Sequence, residues 1–226
     1  EIVFTAQEIL VGNADYPTEA IGETTRAFRQ LGLGYANLGA LLMALGLPYD
    51  SDEGRSVAAA LTSLMTGYAY RTSARIADRM GAFEGYEHNR EPMLGVLEMH
   101  REAAELLDSA VTPALVDAGR TAWFEACALA QRVGVRNSQA TVLAPTGTIG
   151  LLMDCDTTGV EPDLSLVKNK RLVGGGTMSI VNRTVPRALA RLGYDDETAS
   201  AVLAWIDEHQ TVVGCPGIRA EHVAVL

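Results

Sequence analysis

The sequence contains few cysteines and no arrangement of them that would hold a scaffold together. Three cysteines occur among 226 residues, Cys127, Cys155 and Cys215, and no two of them have the CxxC spacing. A sparse, odd set of this kind argues against a disulfide framework and against a structural zinc site. A reducing cytoplasm is therefore the compartment that we expect.

Basic residues and long apolar runs are also scarce. The chain has 18 Lys and Arg against 28 Asp and Glu, which gives a net charge of −10. An acidic surface repels nucleic-acid backbones and anionic lipid, so we expect neither nucleic acid nor membrane as a partner. The apolar stretches are shorter than the roughly 20 residues that a bilayer requires. The chain does not begin with Met, and residues 2–10 already have a helical pattern, so we expect it to be part of a longer polypeptide.

Helical patterns dominate the first part of the chain, about residues 1–136. Hydrophobic residues make up 48% of the composition, enough for one sizeable core or two small ones. Apolar periodicity together with start and stop signals predicts successive helices. They are expected at 2–10, from Thr18 onward, around 38–45, at 54–80, at 91–107 and from Pro113 to Gly134.

The pattern changes in the second part, about residues 137–226. The short apolar run 140–144 has β-branched members and predicts a buried strand, followed by a turn and a short helix at 149–153. A second strand is predicted at 178–182, and helices at 185–192 and 197–207. The glycines at 174–176 predict a flexible loop. Many helices with a few parallel strands favour the α/β class.

The turn after the first predicted strand carries the clearest chemistry. A loop between a strand and a helix presents unpaired N–H groups, which bind phosphate without a lysine. Glycine permits close backbone approach and unusual dihedral angles, and threonines add hydroxyl donors. No GK[ST] follows, so a P-loop nucleotide triphosphatase is disfavoured. The same arrangement is also an ordinary helix N-cap, and the residues alone leave both interpretations open. The predicted phosphate-binding residues are Pro145, Thr146, Gly147, Thr148 and Ile149.

The run NSQATVLAPTGTIGLLMDCDTTGVEPD at 137–163 resembles the adenosylcobalamin-dependent (class II) ribonucleotide reductases. Three further segments are similar to the same family: LGLGYANLGALL at 31–42 with PYDS at 48–51, the loop between residues 82 and 90, and the segment 168–176 that ends in three glycines. The resemblance covers essentially the whole chain, and the block 144–162 is its most specific part.

The resemblance implies a fold, a reaction and partners. It implies that residues 1–226 are a helix-rich partial segment of the family's ten-stranded α/β barrel. It also implies reduction of ribonucleotides to deoxyribonucleotides by a thiyl radical, with adenosylcobalamin as cofactor in the full-length enzyme. A ribonucleotide substrate, a dithiol reductant such as a thioredoxin-type protein and a possible homodimer follow as partners. The family's PTGTI-type loop binds substrate phosphates, a role that falls here on residues 145–149.

Several family motifs are absent from the sequence. The finger-loop Asn-Pro-Cys or Asn-x-Cys motif and the Cys-Asn-Leu motif are missing. We expect the finger-loop motif upstream and the redox cysteines downstream. No cysteine of this chain is assigned the radical role, and the isolated segment is expected to be inactive. Two alternatives stay open: a non-catalytic fragment or structural module, and a reductase that uses another radical source.

Overall fold

The computed structural model describes residues 1–163, 165–171 and 174–226, and in 168–171 and 177–181 the description concerns the backbone. The described residues are mainly helical. The elements in chain order are α1 Ile2–Asn13, α2 Glu19–Phe28, α3 Leu38–Leu45, α4 Asp52–Met80, α5 Tyr86–Glu105, α6 Pro113–Val133, α7 Gly147–Leu152, β1 Val167–Arg171, β2 Thr177–Val181, α8 Val185–Arg191 and α9 Asp196–His209.

Local signals fix most helix ends where the sequence places them. The Thr18 hydroxyl accepts a hydrogen bond from the amide of Ile21 and caps α2. The Ser51 hydroxyl accepts from the amide of Gly54 in the first turn of α4. Pro113 opens α6, and Gly134, with φ 76°, ends it. These predicted helices are confirmed.

The predicted start of α5 is wrong. The sequence places it at residue 91, but the helix begins at Tyr86 and contains Pro92 in its interior. Proline is usual in a first turn, which favours a start close to it. The side chain of Tyr86 is buried, and its amide donates to the carbonyl of Phe83, so tertiary packing sets the start instead.

The chain forms two compact units, each with a core of its own. The first consists of residues 1–34 and 56–142, and the second of residues 35–55 and 143–226. In the first unit the core lies among α4, α5 and α6, where Trp123 packs with small residues such as Ala126 and Ala130. In the second unit α3 packs against α8, and the core includes Met43, Leu189 and Ile206.

One two-stranded sheet is present among the described residues. Strands β1 and β2 pair antiparallel, with Val167 opposite Val181 and Arg171 opposite Thr177. The second predicted strand is therefore confirmed, shifted by one residue. Its parallel character is wrong, because a short hairpin connection joins strands that run in opposite directions. The glycines Gly174, Gly175 and Gly176 lie in that connection, all with positive φ.

The predicted buried strand at 140–144 forms only in part. The amide of Leu33 donates to the carbonyl of Ala140 at 3.0 Å, and the amide of Val142 donates back to Leu33 at 2.9 Å, which makes one isolated parallel bridge. Ala140 is buried, but Val142 is 44% and Leu143 62% exposed. A run of apolar residues becomes a buried strand only between neighbours on both sides. Here Leu33 supplies a neighbour on one side.

The described residues are thus helix-rich, as predicted, and the ten-stranded barrel stays a prediction. No helix in the described ranges is both long enough and apolar enough to cross a membrane.

Candidate functional site

The five predicted phosphate-binding residues lie together around the start of α7. Pro145 precedes the helix, Thr146 is its N-cap residue and Gly147 its first residue. Gly147, Thr148 and Ile149 are exposed, and Ile149 keeps 53% of its surface accessible. The loop therefore faces solvent.

Within the described part of the chain, no acceptor bonds the amides of Thr146 to Ile149. Among the described residues, the first amide of α7 that donates to a backbone carbonyl is that of Gly150, which bonds to Thr146 at 2.6 Å. The N–H groups of Thr146, Gly147, Thr148 and Ile149 donate to no described group. Unpaired N–H groups on an exposed turn attract an anion, because they combine partial positive charge with free hydrogen-bonding capacity. The binding role of these residues stays a prediction.

The unusual dihedral angles fall on Thr146 rather than on Gly147. Thr146 has φ 53° and ψ 29°, the left-handed region that β-branched residues rarely adopt. Gly147 is helical, and a Cβ built on it would meet nothing within 4 Å. The expectation that Gly147 supplies the strained conformation is therefore wrong. The open space beside Gly147 does agree with close approach of a ligand.

Three residues outside the predicted set support the loop. The Thr146 hydroxyl accepts a hydrogen bond from the amide of Gly159 at 2.6 Å. The amide of Thr157 donates to the side-chain oxygen of Asn37 at 3.0 Å, and the Thr157 hydroxyl accepts from the amide of Ala40 at 3.2 Å. Sequence reasoning missed Asn37, Thr157 and Gly159 as site residues. The one usable signal was Gly159 itself, a glycine inside a polar turn, which favours positive φ.

Comparison with known proteins decides the family. The family model described as "Ribonucleotide reductase, barrel domain" matches residues 1–225. The chain belongs to the ribonucleotide reductase family.

Curated relatives of this chain, which is called the reductase segment below, carry a more specific name. The chain is 57% identical over 228 residues to a vitamin B12-dependent ribonucleotide reductase of Streptantibioticus cattleyicolor. The match covers all of this chain and 38% of that protein. Proteins of the same name from Streptomyces coelicolor and Rhodopirellula baltica are 55% and 50% identical, over 100% and 98% of this chain. The segment spans 24% and 21% of their lengths. It is thus similar to a minor part of each relative.

Acidic residues just after α7 bind Arg183. The Arg183 guanidinium bonds to the Asp154 carboxylate, just after α7, and lowers the pKa of that carboxyl. The Arg183 amide also donates to Asp156 at 3.2 Å, and the Thr184 hydroxyl bonds the same carboxylate at 2.5 Å. These contacts attach the segment after α7 to the start of α8.

The cysteines of the reductase segment are all free thiols, and two of them are buried. Burial of Cys127, together with the nearby negative charge of Glu98, raises the pKa of its thiol to about 11. A thiol that stays protonated in a core is a poor nucleophile. Within the described ranges no group of three or more His, Cys, Asp or Glu side chains could hold a metal ion.

The raised thiol pKa of Cys127 predicts a loss of stability at alkaline pH. In the unfolded chain the thiol ionises near its ordinary pKa of 9.0, whereas in the folded chain it ionises at about 11. The stabilising contribution is complete below the lower value and is lost as pH rises toward the higher one. Urea unfolding at about pH 8 and about pH 10.5 should show a smaller alkaline loss for Cys127→Ala than for the unmodified chain. Equal losses would contradict the buried, protonated thiol.

Proposed function

We propose that this chain is a segment of a vitamin B12-dependent ribonucleotide reductase and that Pro145–Ile149 binds the phosphates of the ribonucleotide substrate. The observation that carries the proposal is a row of four amides, Thr146 to Ile149, that have no acceptor among the described residues. Gly147, Thr148 and Ile149 are exposed, and the reductase barrel model matches this chain from residue 1 to residue 225.

Backbone amides suit this role better than cations do in this chain. The chain carries a net charge of −10, so a nucleotide polyphosphate is repelled by most of its surface. Recognition must then be local, through aimed donors at short range. N–H groups supply that without a side chain to order, and the Thr148 hydroxyl, which has no partner among the described residues, adds a further donor. Ile149 presents an exposed apolar side chain beside them.

The reaction proposed for the whole reductase replaces the 2′-hydroxyl of a ribonucleotide with hydrogen. The hydroxyl leaves as water, and a dithiol is oxidised to a disulfide, so that the two electrons balance. When bound, adenosylcobalamin supplies the radical that makes a protein thiyl. A thioredoxin-type dithiol protein, a homodimeric assembly, a cytoplasmic location and the ten-stranded barrel belong to the same proposal. The role of this segment is to bind and orient the substrate by its phosphates.

The family's motif for the radical cysteine is absent from this sequence, so the proposal places the radical chemistry elsewhere in the polypeptide. Of the cysteines present, Cys127 and Cys215 are buried. Cys155 is half-buried, and its amide bonds to the carbonyl of Gly150 at the end of α7. We therefore assign no residue of this segment to the corrin or to the thiyl radical.

A bulky residue at position 147 tests the phosphate role. Because a Cβ on Gly147 meets nothing within 4 Å, Gly147→Leu should leave the ligand-free fold unchanged while its side chain occupies the space that a phosphate needs. In the reductase polypeptide that carries this segment, we expect nucleotide affinity to fall by at least about tenfold, or about 1.4 kcal/mol. Isothermal titration with cytidine diphosphate and with the triphosphate, run separately, measures the effect.

The chain offers a matched control for this variant. Gly95 lies within helix α5 of the other unit, and a Cβ there also meets nothing within 4 Å. Gly95→Leu should therefore leave affinity unchanged while introducing the same side chain. Unchanged affinity of the Gly147→Leu protein for both nucleotides would remove the phosphate role from this loop.

A further inference from the structure

Thr146 holds an unfavourable backbone conformation that some contact must stabilise. Its φ of 53° and ψ of 29° place a β-branched residue in the left-handed region. Thr146 directly precedes Gly147, Thr148 and Ile149, which are exposed and whose amides have no acceptor among the described residues. In the described part of the chain, the Thr146 hydroxyl accepts a hydrogen bond from the amide of Gly159 at 2.6 Å. The hydroxyl thus has a partner within the protein.

Gly159 touches the loop with its backbone, and no side chain fits there. Its φ is 50°, and a Cβ would lie 2.7 Å from the carbonyl oxygen of Ala144 and 3.2 Å from that of Pro145. A contact of 2.7 Å is closer than side-chain carbons approach carbonyl oxygens in proteins. The absence of a side chain lets the segment 157–159 lie directly against residues 144–146.

The same segment is attached to α3, which packs in the core of the second unit. Thr157 is 1% exposed and bonds through its amide to Asn37 and through its hydroxyl to the amide of Ala40. The Tyr49 hydroxyl donates to the carbonyl of Val160 at 2.6 Å. A Cβ on Gly39 would lie 2.8 Å from the carbonyl oxygen of Glu161, so α3 and this segment are in close contact.

We propose that Asn37, Thr157, Gly159 and Thr146 form a positioning relay that holds the phosphate-binding loop in its open conformation. The proposal rests on the proposed function of that loop. In the relay, α3 fixes Thr157, Thr157 fixes the turn at Gly159, and the Gly159 amide fixes Thr146. Thr146 then acts by shaping the loop, and the contacts to phosphate fall on the amides of Gly147, Thr148 and Ile149. Thr157 is a positioning residue because its buried side chain cannot reach a ligand.

Matched valine and serine variants of the full-length reductase test the relay. Thr157→Val keeps the shape of the side chain and removes the hydroxyl that accepts the hydrogen bond of the Ala40 amide. Thr157→Ser keeps that hydroxyl. With adenosylcobalamin and a dithiol present, we expect KM for the nucleotide to rise about five- to tenfold in Thr157→Val, the effect of about one lost hydrogen bond. The kcat at saturating substrate should change less than about twofold, and Thr157→Ser should restore KM.

A variant at position 146 tests the relay without changing the buried side chain of Thr157. Thr146→Val removes the acceptor for Gly159, and it should raise KM by a similar factor. If both residues act along one path, the double variant should raise KM by less than the product of the two single effects. Independent, multiplicative effects would overturn the relay. So would a Thr157→Val protein with a lower melting temperature and an unchanged KM.

The outcome at Gly147 separates the two proposals. If Gly147→Leu weakens nucleotide binding and the valine variants leave KM unchanged, the loop binds phosphate and the relay is wrong. If Gly147→Leu leaves binding unchanged, the phosphate role itself is wrong, whatever the valine variants show.

Discussion

Replacing Trp123 with alanine should lower the free energy of unfolding by about 3–5 kcal/mol. Trp123 is 2% exposed and is the largest fully buried side chain among the described residues. Its ring lies 6.0 Å from that of Tyr70 on α4 and stacks at 5.3 Å on that of His100 on α5. Truncation therefore opens a cavity between three helices that close-packed neighbours cannot fill. Urea or guanidinium unfolding, followed by far-UV circular dichroism, measures the loss.

The next residue of the same helix is the control. Phe124 is 66% exposed, so Phe124→Ala removes an aromatic ring of similar size that contributes little to the core. We expect a change within about 0.5 kcal/mol for that variant. If Trp123→Ala lowered the free energy of unfolding no more than Phe124→Ala does, the burial of Trp123 between α4, α5 and α6 would be contradicted. The i, i+3, i+4, i+7 spacing of Trp123, Ala126, Cys127 and Ala130 predicts one helix face, and all four residues are buried.

Replacing Glu8 with alanine should cost a similar amount, about 3–5 kcal/mol, for a different reason. Glu8 is a charged residue with 6% exposure. One carboxylate oxygen accepts from Arg29 at 2.7 Å and from Arg136 at 2.9 Å, and the other accepts from the Asn137 side chain at 2.5 Å. Asn137 in turn bonds to Ser73 at 2.8 Å. Removing the carboxylate leaves two guanidinium groups and an amide in poorly solvated positions without their acceptor.

Two controls define what Glu8 contributes. Glu23 lies exposed on α2, and Glu23→Ala should change the free energy of unfolding by less than about 0.5 kcal/mol. Glu8→Gln keeps an oxygen acceptor and removes the charge, so its loss should lie between those of the other two variants. Since the Glu8 carboxylate and the Arg29 guanidinium are buried, the Glu8→Ala effect should persist at about 1 M salt, where exposed ion pairs are screened. A loss at Glu8 no larger than that at Glu23 would contradict the buried ionic cluster.

Features that depend on neighbouring residues could be predicted from the sequence, whereas features that depend on residues distant along the chain could not. The ends of α2, α4 and α6 depend on Thr18, Ser51 and Gly134, residues at or beside those ends, and they were predictable. The role of Glu8 was not, because Arg136 and Asn137 lie 128 and 129 positions away along the chain. No local pattern distinguishes this glutamate from an exposed one.

The predicted strand at 140–144 and the loop that follows it also depend on residues outside their own stretch of sequence. The apolar run 140–144 reads as a buried strand, yet its burial depends on neighbours that the run does not encode, and Leu143 is 62% exposed. The helix after the loop begins at Gly147 and not at the predicted Ile149. The presence of a turn before it was predictable from its residues. The conformation of this turn was not: the left-handed residue is Thr146, a β-branched residue of a kind that rarely adopts this region, and its hydroxyl bonds the amide of Gly159, 13 positions away.

Gly147 follows Thr146 in the chain, and Gly159 bonds to Thr146 through its amide, but the two glycines should differ in how far they vary among related sequences. A side chain at 147 projects into free space, while one at 159 collides with the carbonyl oxygen of Ala144. If the phosphate role proposed for the loop holds, a gene copy that has lost its activity but still encodes a folded protein would vary at codon 147 and stay fixed at codon 159. Sequence variation among descendants would then reveal which copies still turn over substrate.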